Sequence, residues 1–130
     1  MSPRAQVWPY AALAALGAWT IVVPYLGRAV GLVVNVAPRT EIVDHVVPGA
    51  LIAAAGLYMA ALARRGAPAD WTRLIAGGLC FLAGFWVLAT HVPLVADAIK
   101  GTASWGATLW HAATPLPIVV VSLIIVLRET

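Results

Sequence analysis

Charged side chains are scarce in this sequence. Only 10% of its 130 residues are Asp, Glu, Lys or Arg, whereas a soluble domain carries about a quarter. So little charge excludes a water-covered globule. Cysteine is nearly absent too: Cys80 stands alone inside an apolar run, which excludes a disulfide framework or a CxxC centre and leaves a small packing residue. No nucleophile with a partnered base, phosphate loop or helix-spaced carboxylate pair is found. The chain therefore reads more readily as a non-enzyme. A basic stripe is missing as well. The formal charge is +3, but the eight Lys and Arg residues lie singly or in one pair, without interleaved aromatics, so nucleic acid is no expected partner.

What remains is apolar: 62% of the residues are hydrophobic. A hydrocarbon core of roughly 30 Å takes about 20 such residues per helix. The runs predict an all-α membrane protein with four transmembrane helices over about 8–26, 42–63, 74–95 and 109–127. Arg4 before an apolar stretch resembles a signal peptide, but the stretch is long for one, so it reads as a retained first helix. The segment after Arg28, to Val36, is too short to cross again and is expected to extend the helix or lie on the surface. Pro38–Glu41 reads as a polar break, residues 66–70 as a short turn and Asp97–Thr108 as a loop.

Cations in short loops set orientation. Arg4, Arg64, Arg65, Arg73 and Arg128 fall on one side, and Arg28, Arg39 and Lys100 on the other. Both termini are expected to be cytoplasmic.

The spans look like one two-helix unit used twice, over 1–66 and 67–130. Trp8 and Trp71 open the halves, and His45 and His111 stand at matching places in each second helix. Units of two helices keep the same orientation, so the halves would be parallel repeats about an axis along the membrane normal.

A family resemblance follows. Gly17-Ala18-Trp19-Thr20-Ile21-Val22-Val23-Pro24-Tyr25 resembles the Gly-x-Trp and Ser-Pro-Trp pattern of the SPW-repeat membrane proteins, and Pro48-Gly49-Ala50-Leu51 resembles the start of their second helix. Val23 replaces the family's Ser, Tyr25 its Trp, and Gly84-Phe85-Trp86 meets a proline only at Pro93. The resemblance implies a bacterial inner-membrane protein and carries no activity with it.

Small residues at Gly49, Ala53, Gly56 and Ala60 share one helix face and predict a close helix seam, within the chain or against a partner. Four tryptophans (Trp8, Trp71, Trp105 and Trp110) fall near span ends, where indole favours the headgroup region. Trp19 and Trp86 lie deeper, as packing wedges. Ser122 and Thr114 read as helix–helix hydrogen bonders.

The histidines carry the chemistry, if any. His45, His91 and His111 fall at similar depth toward the non-cytoplasmic face, with Asp44 and Asp97, and ionisable groups there suggest a site by default. His45 and His111 could be the two axial ligands of a haem b. The cluster with Asp44 or Asp97 could hold Zn or Cu, or serve protonation beside a quinone. The plainest role is interfacial: hydrogen bonding to water or to carbonyls freed by Pro48, Pro93, Pro115 and Pro117. The expectation from sequence is an accessory subunit without cofactor, packing in a larger membrane complex (respiratory or photosynthetic) or as a homo-oligomer. The alternative is a haem- or metal-binding redox protein. A transporter is disfavoured, since no charge lies at mid-membrane.

Overall fold

The computed structural model describes residues 3–34, 36–67 and 70–130, with side chains from Val7 onward. The side chain of Arg4, and Pro68 and Ala69 of the expected turn, lie outside the described residues. Four helical segments are long and apolar enough to cross a membrane: Val7–Ala29, Pro38–Arg64, Trp71–Ile99 and Trp105–Glu129. They are called here the first to fourth spans. No strand occurs among the described residues.

The first and second spans pack as an antiparallel hairpin, the third and fourth as another, and the two meet through the second and third spans and through the first and fourth. The spans meet in a core of Tyr10, Leu13, Ile52, Met59, Cys80, Ile118 and Ile125. Buried polar groups such as Thr20, Thr108 and Ser122 point inward, while Leu57, Ile75, Leu82, Phe85 and Val120 are exposed. Apolar outside and polar inside is the arrangement that a lipid solvent favours.

The small-residue seam lies within the first hairpin. A Cβ on Gly56 would stand 2.5 Å from the Ala14 nitrogen and 2.8 Å from the Tyr10 oxygen, and one on Gly49 would stand 2.8 Å from the Gly17 oxygen. Backbone meets backbone there. The second hairpin uses the device differently. A Cβ on Gly84 would meet Ile118 Cγ2 at 2.7 Å and one on Gly77 would meet Ile125 Cγ2 at 3.0 Å, so isoleucine knobs fill glycine holes.

Several boundaries differ from expectation. Pro38–Glu41 is the first helical turn of the second span rather than a break, because proline at a helix start lacks only a donor that would be unused there. Residues 97–108 are not all loop: helix Val92–Ile99 runs through Asp97 and helix Trp105–Ala112 follows. The third span ends where Thr102 and Ala103 donate to the Asp97 carbonyl, with Gly101 at φ +75 making the turn. After Ala29 the chain turns at Gly31, φ +79, and leaves the helix instead of extending it.

Ser122 and Thr114 bond within their own span, to the Ile118 carbonyl at 2.7 Å and the Trp110 carbonyl at 3.5 Å. This back-bonding satisfies a hydroxyl locally, so neither joins two helices. Trp110 packs against the first span. Its indole donates to the Val23 carbonyl at 2.9 Å and stands edge-on to Trp19 at 5.8 Å. Trp86 lies on the outer surface, 52% exposed.

Candidate functional site

Each histidine sits beside a proline break. Pro48 follows His45 by three residues, Pro93 follows His91 by two, and Pro115 follows His111 by four. Proline removes a donor and crowds the carbonyl four residues earlier. The second span answers by widening into a π-helical turn, Ile42–Val46, with the Val47 N–H bonding the Ile42 carbonyl. The third and fourth spans break at His91 and at 113–114. Such interruptions re-aim side chains that a regular helix would hold elsewhere.

The result is a convergence. His45, His91 and His111, from three different spans, are 3%, 6% and 2% exposed. The His45 ring centre lies 4.9 Å from that of His91 and 5.9 Å from that of His111, edge to face in both cases. At 1.5 Å rise per residue the cluster lies roughly 10 Å inside its end of the bundle. A cavity of about 500 Å³ reaches it, lined by the exposed Val33 and Thr102 and by the three buried histidines, Thr90 and Thr108.

Hydrogen bonds fix which nitrogen is free in two of the three rings. His91 Nδ1 meets the Val87 carbonyl at 2.6 Å and His111 Nδ1 the Ala107 carbonyl at 2.9 Å. A carbonyl only accepts, so in the neutral ring Nδ1 carries the proton and Nε2 the lone pair. His45 makes no such bond among the described residues. Its Nε2 faces Glu41 Oε2 at 3.6 Å, while Nδ1 is buried without a partner among the described residues. Thr108 Oγ1 is likewise buried and unpartnered.

The sequence-derived carboxylates hold unequal places. Asp44 and Asp97 both line the cavity. Asp97, however, is an exposed group 4.0 Å from Lys100, and neither bonds a histidine among the described residues. Glu41 is the acid that does approach one, and sequence reasoning missed it. Its signal was the i, i+4 spacing to His45, hidden by treating Pro38–Glu41 as a break. Glu41 also stands 3.5 Å from Arg28, tying the end of the first span to the cluster. As the side chains lie, no group of three His, Cys, Asp or Glu among the described residues is arranged so that it could hold a metal ion.

A second polar cluster, also missed, occupies the opposite end. Tyr10 donates to Glu129, Arg73 Nη1 lies 4.0 Å from the same carboxylate oxygen, and Arg73 Nη2 donates to the Ala67 carbonyl. Both charged side chains are buried. Three spans are tied together there.

No family model, curated protein or solved structure matches the chain. The resemblance to SPW-repeat proteins thus stands on the quoted residues alone.

Proposed function

We propose that this chain is a small multi-pass membrane protein that binds a divalent transition-metal ion at its three-histidine cluster. The carrying observation is the convergence of three buried imidazoles from three spans, each beside a proline break. Imidazole suits Zn, Cu and Ni. Bonds of about 2.0–2.1 Å to one tetrahedral ion would hold imidazole centres roughly 5 Å apart, and the observed separations are 4.9 and 5.9 Å. Closing the set takes rotation of the rings from where they lie. The cavity leaves room for a fourth, exchangeable position.

Haem ligated by His45 and His111 fits less well. A macrocycle needs a clear slot beside His45, and the His91 ring packs 4.9 Å from it. The accessory-subunit expectation drew on the small-residue seam, and that seam is occupied inside the chain. In the proposed reading the halves are parallel repeats of one hairpin, related to the SPW-repeat proteins. The histidine end faces away from the cytoplasm of a bacterial inner membrane.

The test is metal analysis of the detergent-purified, chelator-stripped chain titrated with Zn(II) or Cu(II). One ion per chain, lost when all three histidines become alanine, is expected. A chain that takes up neither ion overturns the proposal. A Soret band that follows His45 and His111 would replace it with haem, and a metal-free chain found only within a larger complex would restore the accessory subunit.

A further inference from the structure

We infer that the ion is held by a mixed nitrogen set, Nδ1 of His45 and Nε2 of His91 and His111, with Glu41 as the positioning carboxylate behind His45. This inference rests on the metal-binding reading above. It comes from asking what each ring has already used. Val87 and Ala107 carbonyls take the Nδ1 protons of His91 and His111. The Glu41 carboxylate lies 3.6 Å from Nε2 of His45, outside hydrogen-bond reach, and its charge favours the proton on that nitrogen. Each ring is left with one lone pair, and the leftover nitrogen of His45 is buried and unpartnered among the described residues. Metal-binding histidines nearly always give their second N–H to a carboxylate or a backbone carbonyl, which fixes tautomer and ring orientation. His91 and His111 show that pattern before any ion is considered, and His45 has a carboxylate 3.6 Å from its Nε2.

Glu41 is suited to the part for a second reason. Its side chain is 5% exposed and lies between Arg28 and His45, so the arginine of the first span steadies a carboxylate on the second. Thr108, fully buried with an unpartnered hydroxyl on the same cavity, offers a hydrogen bond to water in the fourth position. A site of three neutral imidazoles and one water takes a dication with an open coordination place.

The experiment uses the full-length chain in detergent, stripped of metal, with Co(II) as the probe. Nitrogen-15 spectra of the histidine rings in the metal-free chain come first, because they report tautomers without any binding. His45 is expected as the Nε2–H form, and His91 and His111 as Nδ1–H. Co(II) titration of Glu41→Ala should then give 10- to 100-fold weaker binding at unchanged stoichiometry, the usual loss for such outer partners, with a shifted visible spectrum. Glu41→Gln, whose amide oxygen still accepts, should recover part of the affinity. Asp97→Asn, on the same cavity, should bind as the parent does. Should the parent bind no Co(II), the metal-binding reading falls and this inference with it. If the parent binds but Glu41→Ala matches it in affinity and spectrum, or His45 is the Nδ1–H tautomer, only the assignment of nitrogens and of Glu41 is overturned.

Discussion

Arg73 and Glu129 bring opposite charges into a place nearly closed to solvent, with side chains 8% and 5% exposed. Removing one partner of such a pair strands the other, at a cost of about 3–5 kcal/mol, whereas replacing both by apolar groups is often neutral or better. Glu129→Ala should therefore lower the melting temperature in detergent sharply. Arg73→Met combined with Glu129→Leu should recover most of the loss. Equal melting of the single and double variants would show that the charges are not coupled. At the same scale, Trp110→Phe removes the hydrogen bond to the Val23 carbonyl, a net loss of about 1 kcal/mol readable in the same melt.

At the scale of elements, the seam and the breaks behave oppositely to change. Gly56→Leu has nowhere to go, because the obstructing atoms belong to the backbone of Ala14 and Tyr10. Overpacking of this kind costs about 1–3 kcal/mol or more. Gly78→Ala, where an added Cβ meets nothing within 4 Å, should melt like the parent or slightly higher. Similar melting of Gly56→Leu and the parent would place the crossing elsewhere. Pro48→Ala acts on geometry rather than on stability. With the N–H restored, the π-turn Ile42–Val46 can relax to an α-helix, and the change of register swings His45 away from its partners. Metal uptake should fall at least tenfold while melting changes little, and unaltered uptake would remove the π-turn from the account.

What the sequence disclosed at these two scales follows from the physics of each signal. Hydropathy and length revealed the four spans, and four-three-four spacing revealed the seam, because both are local properties of one helix. The shared depth of His45, His91 and His111 was legible from their distances to the span ends. Which nitrogens are free was not, since Val87 and Ala107 become partners only through the helix geometry around a proline break. Glu41 was obscured by Pro38, read as a stop where it is a start. Tyr10 and Glu129 are 119 residues apart, and no local pattern announces that pair.

For the molecule as a whole, cation placement governs which end faces the cytoplasm. Arg64 and Arg65 are exposed beside the connection between the hairpins. Arg73 is buried against Glu129, and Arg28 at the other end faces Glu41. The orienting rule counts Lys and Arg and gives little weight to Asp and Glu, so the paired arginines still count in the balance of five against three. A reporter fused at Gly66 is expected to behave as cytoplasmic and one fused at Thr102 as external. Alanine at both Arg64 and Arg65 leaves three cations at each end, and the two fusions should then report mixed orientation. Thr102 lines the histidine cavity, so under the proposed metal-binding reading the same fusions show from which compartment an ion would arrive. A cytoplasmic reporter at Thr102 in the parent would turn the molecule over and make the cluster a receiver of intracellular metal.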